Sequence, residues 1–127
     1  MIRQISVLMI ALIIILALCI ISQWYIKTST KEICETLQPI EIAIANEDWE
    51  SAKNSFEAGK TVWEKTLRIW KVLIDHEDMR DIEISFVDMG VAIKQKDQAQ
   101  AQKEYDNLVF YVNHVIENEK LDLKNLF

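Results

Sequence analysis

The sequence predicts an all-α protein, in which an N-terminal transmembrane helix is followed by a four-helix domain of two αα-hairpins resembling a pair of helical repeats. Three observations lead to this prediction. The 127 residues include only two Gly and one Pro, too few for an all-β fold, which needs turn residues every few positions. Residues 5–26 are almost wholly apolar. The rest of the chain is charged, with apolar residues recurring at helical spacing.

The apolar run at residues 5–26 has the length and composition of one membrane span. About 20 residues at 1.5 Å each cross a hydrocarbon core of roughly 30 Å. Trp24 and Tyr25 stand where an interfacial aromatic pair belongs. We therefore expect lipid to contact residues 5–26, with a membrane anchor over residues 1–27 and an extracytoplasmic helical domain over residues 28–127.

Cleavage and lipidation of the apolar run are the alternatives. A cleaved signal peptide needs a shorter apolar core and small residues before the cut, whereas this run is long and reads ISQW at residues 21–24, near its exit. A bacterial lipoprotein needs a small residue before its modified cysteine, and here Leu18 precedes Cys19. Arg3 and the α-amino group favour a cytoplasmic N-terminus, although two lysines lie beyond the run. We expect a single-pass protein of the cell membrane with its C-terminal domain outside the cytoplasm.

The charged residues are concentrated after the apolar run. All 20 acidic and 13 of the 14 basic residues follow residue 26, which gives that region a formal charge of −7. Such a domain would repel phosphate backbones, so we expect no nucleic-acid partner. Cys19 and Cys34 are too few for a disulfide framework. We interpret both as small buried apolar residues, with an intermolecular bridge through Cys34 as the alternative.

A central helix is predicted at residues 48–75, which hold three of the four tryptophans. One large aromatic side chain removes about 150–250 Å² from solvent on burial, so other segments must pack on this helix. Gly59 lies on the same face and predicts close approach of a neighbouring helix. We interpret the tryptophans as core, with a groove for a partner helix as the alternative. The apolar face consists of Trp49, Ala52, Phe56, Trp63, Leu67, Trp70 and Ile74.

The segment before the central helix is also amphipathic but contains the only proline. Ser29 and Glu32 have the spacing of a capping box, either at a helix start or within one continuous helix. Pro39 predicts a kink or break near residues 36–38, because proline in a helix interior costs about 3 kcal/mol.

The sequence has an internal similarity at an offset of 49 residues. Residues 43–57 align with residues 92–106, and each copy reads as a helix, a turn and a second helix. Asp48 and Asp97 occupy the N-cap position in the two copies. We therefore predict two hairpins of similar geometry. The apolar residues among 121–127 are expected to dock on the bundle.

The sequence contains no recognised catalytic or cofactor motif. It has no phosphate-binding glycine loop, no C-x-x-C and no H-E-x-x-H, so we predict neither an enzyme nor a bound cofactor. Residues 75–78 (DHED) have metal-ligand side chains. Helical neighbours point about 100° apart and cannot all face one ion. We interpret these residues as a solvated turn, with a metal or acid–base site as the alternative.

Scattered single residues, together with the anchor, carry a resemblance to a known family. These residues are Asp48, Trp49, Ala52, Trp63, Trp70, Ile74, Asp75, His76, Asp97, Ala101, Asn125, Leu126 and Phe127. Over nearly its full length the chain is similar to bacterial proteins of the domain of unknown function 4363 family, which are small and have one N-terminal transmembrane helix. The resemblance implies an anchored helical protein and no known activity, cofactor or catalytic residue.

These features favour a non-enzymatic accessory or scaffold subunit that binds another membrane or envelope protein. The candidate partner-binding or core residues are Trp49, Trp63, Trp70 and His76. A homo-oligomer is also compatible with them. The alternative is an extracytoplasmic ligand- or metal-sensing helical module, with a pocket between the hairpins near His76 or His114.

Overall fold

The computed structural model describes residues 1–126, with side chains described through residue 117. It contains four helices: α1 (Ile2–Ala45), α2 (Trp49–Leu73), α3 (His76–Lys94) and α4 (Gln98–Leu126). No strand occurs within residues 1–126, and the predicted all-α class is confirmed. The apolar residues predicted to dock from 121–127 lie outside the described side chains.

The apolar segment and the first helix of the bundle form one continuous helix, α1. The predicted transmembrane helix and the first of the four predicted domain helices are therefore one helix, and the predicted four helices of the bundle are confirmed. The predicted break near residues 36–38 is wrong, because α1 continues through Pro39. Leu37 and Ile40, on either side of the proline, are fully buried, and this packing offsets the local cost of about 3 kcal/mol.

The four helices pack in a ring, with each helix against its neighbours in the chain and α1 against α4. This arrangement is an up-and-down four-helix bundle. Contact is most extensive within the pairs α1–α2 and α3–α4 and less extensive between α2 and α3. Among the described residues, the fully buried large side chains are Leu37, Ile40, Ile44, Trp70, Ile82, Met89, Leu108, Val112 and Val115.

The α1–α2 and α3–α4 turns have the same backbone geometry. Glu47 and Lys96 adopt left-handed φ angles of 55° and 57°. Each following aspartate, Asp48 or Asp97, donates its amide to the carbonyl five residues earlier, at 2.9 and 3.0 Å, as in a Schellman motif. Both carboxylates accept the backbone N–H three residues ahead, at 3.3 and 3.2 Å. The predicted similarity of the hairpins is confirmed at these turns.

The turn between α2 and α3 is shorter than the solvated turn predicted at residues 75–78, because only residues 74 and 75 separate the two helices. The central helix ends at Leu73, two residues earlier than expected, and Ile74 is extended and buried. Asp75 caps α3 by accepting from the amide of Glu77, and His76 is the first residue of α3. The predicted solvated turn is thus the capped start of a helix.

The two ends of the bundle differ in their relation to the apolar segment of α1. Part of α1 is long and apolar enough to cross a membrane, and none of its most apolar window is buried in the structure. Burial begins at Ile26, which is 2 % exposed. We call the end of the bundle near Ile26, where the α2–α3 turn lies, the anchor end, and the end with the two Schellman turns the far end.

Candidate functional site

A groove opens between α2 and α3 in the far half of the bundle. It encloses about 770 Å³. Its floor consists of the rings of Phe56 and Phe86, whose centroids are 5.0 Å apart, and the backbone at Gly90. The groove follows from the limited contact between α2 and α3, which leaves Phe56 and Gly90 partly exposed above the buried Phe86.

Gly90 allows α2 and α3 to approach at the floor of this groove. A Cβ at Gly90 would lie 2.6 Å from Cζ of Phe56, so the phenyl ring occupies the space of the missing side chain. At Gly59, the glycine that the sequence singled out, a Cβ would lie 3.6 Å from Leu37 and Ile40, an ordinary contact. The prediction that Gly59 permits a close approach is therefore wrong. The sequence did hold a sign of this role, because Gly90 follows Phe86 by four residues and the two therefore lie on the same helix face.

The α3 wall of the groove presents exposed apolar side chains. Val87 and Val91 lie one helical turn apart and are 63 % and 48 % exposed. Trp49, at the start of α2, lines the groove and is half-buried. Concave apolar surfaces of this kind are the usual binding sites of proteins.

The rim of the groove is basic, in contrast to the domain as a whole. Four lysines against two glutamates give the rim a formal charge of +2, whereas the chain after residue 26 carries −7. Positive potential is therefore concentrated where the apolar floor is accessible. The six residues are Lys53, Lys60, Lys94, Lys96, Glu50 and Glu57.

The predicted site residues do not form one site. Trp63 and Trp70 make an edge-to-face pair in the core with centroids 5.5 Å apart. The indole N–H of Trp70 donates to Oγ of Ser29 at 2.8 Å. Trp49 lies at the groove instead, and His76 is exposed at the anchor end. Among the predicted residues, only Trp49 contributes to the groove.

The two histidines lie away from the groove. His76 is the first residue of α3, and His114 is exposed on α4, where it stacks on Phe110 at 5.8 Å. Within the described part of the chain, no group of three His, Cys, Asp or Glu side chains is placed to hold a metal ion. The pocket predicted near His76 or His114 differs in place from this groove.

Burial between α1 and α4 raises the pKa of two ionisable groups, one on each helix. Both cysteines are free and half-buried, and burial raises the pKa of the Cys34 thiol. Burial also raises the pKa of Tyr105, as does its hydrogen bond to the Glu41 carboxylate. Both groups therefore stay protonated at neutral pH.

The fold and the groove define a class of protein: an all-α bundle whose first helix extends into a segment capable of crossing a membrane. The family model described as domain of unknown function (DUF4363) matches residues 20–126, so the chain belongs to this family. The resemblance drawn from the sequence is confirmed. No curated protein matches the chain.

Proposed function

We propose that this protein is a membrane-anchored, non-enzymatic accessory or scaffold subunit whose extracytoplasmic bundle binds another membrane or envelope protein. The observation that carries the proposal is the groove between α2 and α3. Its accessible Val87 and Val91 stand beside a floor formed by Phe56 and Phe86. An accessible apolar surface with a polar rim is typical of a protein-binding site.

Because α1 is continuous, it holds the groove at a fixed distance from the apolar segment, which suits a subunit that meets its partner at a set height. The Trp70–Ser29 hydrogen bond places these residues at the same level of the bundle. Phe56 precedes Trp70 by 14 residues, and Ser29 follows Ile26 by three. At 1.5 Å per residue, the groove lies about 25 Å from the level of Ile26. A partner segment at that height would project well beyond a bilayer surface.

Site-specific photocrosslinking in cells tests this proposal. A photoreactive amino acid replaces Val87 in the full-length protein, and the control places it at Val72, which is 83 % exposed and outside the groove. We expect a discrete protein adduct from position 87 and none from position 72. No protein adduct at position 87, or equal adducts at both, would contradict the proposal.

Labelling of intact cells tests the orientation. Thr61 is exposed on α2, and a Thr61→Cys variant with both native cysteines changed to serine offers one thiol on the bundle. A membrane-impermeant maleimide should label it without lysis. Labelling only after lysis would place the bundle in the cytoplasm.

A ligand-sensing module is the second candidate. The groove volume of about 770 Å³ falls in the range of roughly 300–1,000 Å³ that small-molecule sites occupy. A ligand at 100 times its Kd stabilises the folded state by about 2.7 kcal/mol, so thermal unfolding with a metabolite library would detect it. Stabilisation by one metabolite, lost in a Val91→Glu variant, would favour this candidate over protein binding.

A further inference from the structure

We infer that the groove between α2 and α3 receives an acidic amphipathic helix, about three turns long, from a partner protein. The inference rests on the proposed function and names the chemistry of the segment that would bind. It follows from the length of the groove, the nature of its walls and the charge of its rim.

The length of the groove fits a short helix. Along α2 the lining runs from Trp49 to Lys60, a rise of about 16 Å at 1.5 Å per residue. Along α3 it runs from Phe86 to Lys94, a rise of about 12 Å. Three helical turns of about 5.4 Å, or roughly 11 residues, match this length. Anchors at positions i, i+4 and i+7 of a bound helix would span about 10 Å.

The walls of the groove favour a helix over an extended segment. Both walls are α-helices, whose backbone groups are already paired within each helix. An extended peptide would find no strand edge there to satisfy its own backbone groups, whereas a helix satisfies them internally. The valines of α3 and the two phenylalanines offer side-chain contacts alone, which suit the apolar face of a helix.

The positive charge of the rim favours acidic residues on either side of the apolar face of the bound helix. Along α2, Lys53 and Lys60 alternate with Glu50 and Glu57, so the net charge of +2 comes from Lys94 and Lys96 at the far end. Acidic side chains beside the apolar face would meet these ammonium groups. Lipid headgroups at about 25 Å lie beyond the Debye length of about 8 Å at physiological salt.

Binding of designed peptides to the full-length protein in nanodiscs tests the charge preference. The probe is a labelled helical peptide of about 14 residues with leucines at i, i+4 and i+7 and glutamates beside them. Its control carries lysines in place of the glutamates, and empty nanodiscs give the background. We expect the acidic peptide to bind at least about tenfold more tightly, with an affinity that falls as salt rises. Equal affinity of the two peptides would overturn the inference.

Matched variants locate the binding. The double variant Lys53→Glu/Lys60→Glu should weaken binding of the acidic peptide by about tenfold or more. Lys65→Glu/Lys71→Glu makes the same charge change at exposed positions of α2 outside the groove and should leave the affinity within about twofold. All four lysines are exposed, so we expect both variants to stay folded, with melting temperatures only a few degrees from wild type. Equal losses in the two double variants would overturn the inference.

The crosslink from position 87 separates this inference from the proposed function. Mass spectrometry of the adduct identifies the partner segment, and competition by the acidic peptide should reduce its yield. An acidic amphipathic helix at the crosslinked site supports the inference. A basic or non-helical segment of another protein overturns it and leaves the proposed function standing. Adducts only with lipid or with a second copy of this chain overturn both.

Discussion

Removal of the Ser29 hydroxyl should destabilise the bundle more than any exposed hydroxyl does. Trp70 is fully buried, and its indole N–H has Oγ of Ser29 as its acceptor at 2.8 Å. Ser29→Ala leaves this donor without a partner, and an unsatisfied buried donor costs about 1–3 kcal/mol. The total free energy of unfolding of a domain of this size is about 5–15 kcal/mol. A loss near 2 kcal/mol would lower the melting temperature by about 8–16 °C.

Thermal unfolding of the full-length protein in non-ionic detergent measures this effect. Near-UV circular dichroism is the readout, because it reports the packed Trp63–Trp70 pair and not the helicity of the apolar segment. Thr61→Ala is the matched control, since its hydroxyl bonds a backbone carbonyl four residues earlier at an exposed site. We expect the free energy of unfolding of the control to lie within about 0.5 kcal/mol of that of the wild type.

A double-mutant cycle with Trp70→Phe isolates the hydrogen bond. Trp70→Phe has its own cavity cost, but it removes the N–H that Ser29→Ala would leave unpaired. The double variant should therefore be less destabilised than the sum of the single variants by about 1–2 kcal/mol. Strict additivity, or a Ser29→Ala loss below about 0.5 kcal/mol, would refute the assignment of this bond to the stability of the bundle.

Three further predictions concern the glycines and the two shifted groups. Gly59→Ala should raise the free energy of unfolding by about 0.5–1 kcal/mol, because the added Cβ fits, whereas Gly90→Ala should lower it by displacing Phe56. Melting temperatures that change in the same direction in the two variants would contradict this. Wild-type stability should fall above about pH 10, because the pKa of Tyr105 is raised by folding and the unfolded phenol loses its proton first; Tyr105→Phe should reduce this fall in alkaline denaturant titrations. Cys34 should react with iodoacetamide at pH 8 more slowly in the folded protein than in urea, since burial raises its pKa, and equal rates would count against that burial.

Local periodicity was sufficient to predict the helices and the core tryptophans. The spacing of Trp63 and Trp70 on one face required burial of both, and both are in the core. The path of α1 was not predictable in the same way, because the cost of Pro39 is local while Leu37 and Ile40 gain from packing across the bundle.

The groove could not be predicted from any single helix. Its floor depends on the fit of Phe56 over Gly90, a contact between residues 34 positions apart. Its basic rim arises because lysines of α2 and α3, which look like ordinary solvated residues in the sequence, come to the same side of the bundle. Only the pairing of α2 with α3 reveals either feature.

Because α1 is uninterrupted, the number of residues in it sets the direction in which the groove faces around the helix axis, relative to the apolar segment. Each residue of a helix advances it by about 100° and 1.5 Å. One residue inserted just before Ile26, where burial in the bundle begins, would turn the groove by about 100° around the axis of α1 while raising it by only about 1.5 Å. Seven inserted residues would restore nearly the original heading, about 10 Å farther out. The direction in which the groove faces, relative to the apolar segment, thus depends on how many residues of α1 precede the bundle, independently of the groove's own residues.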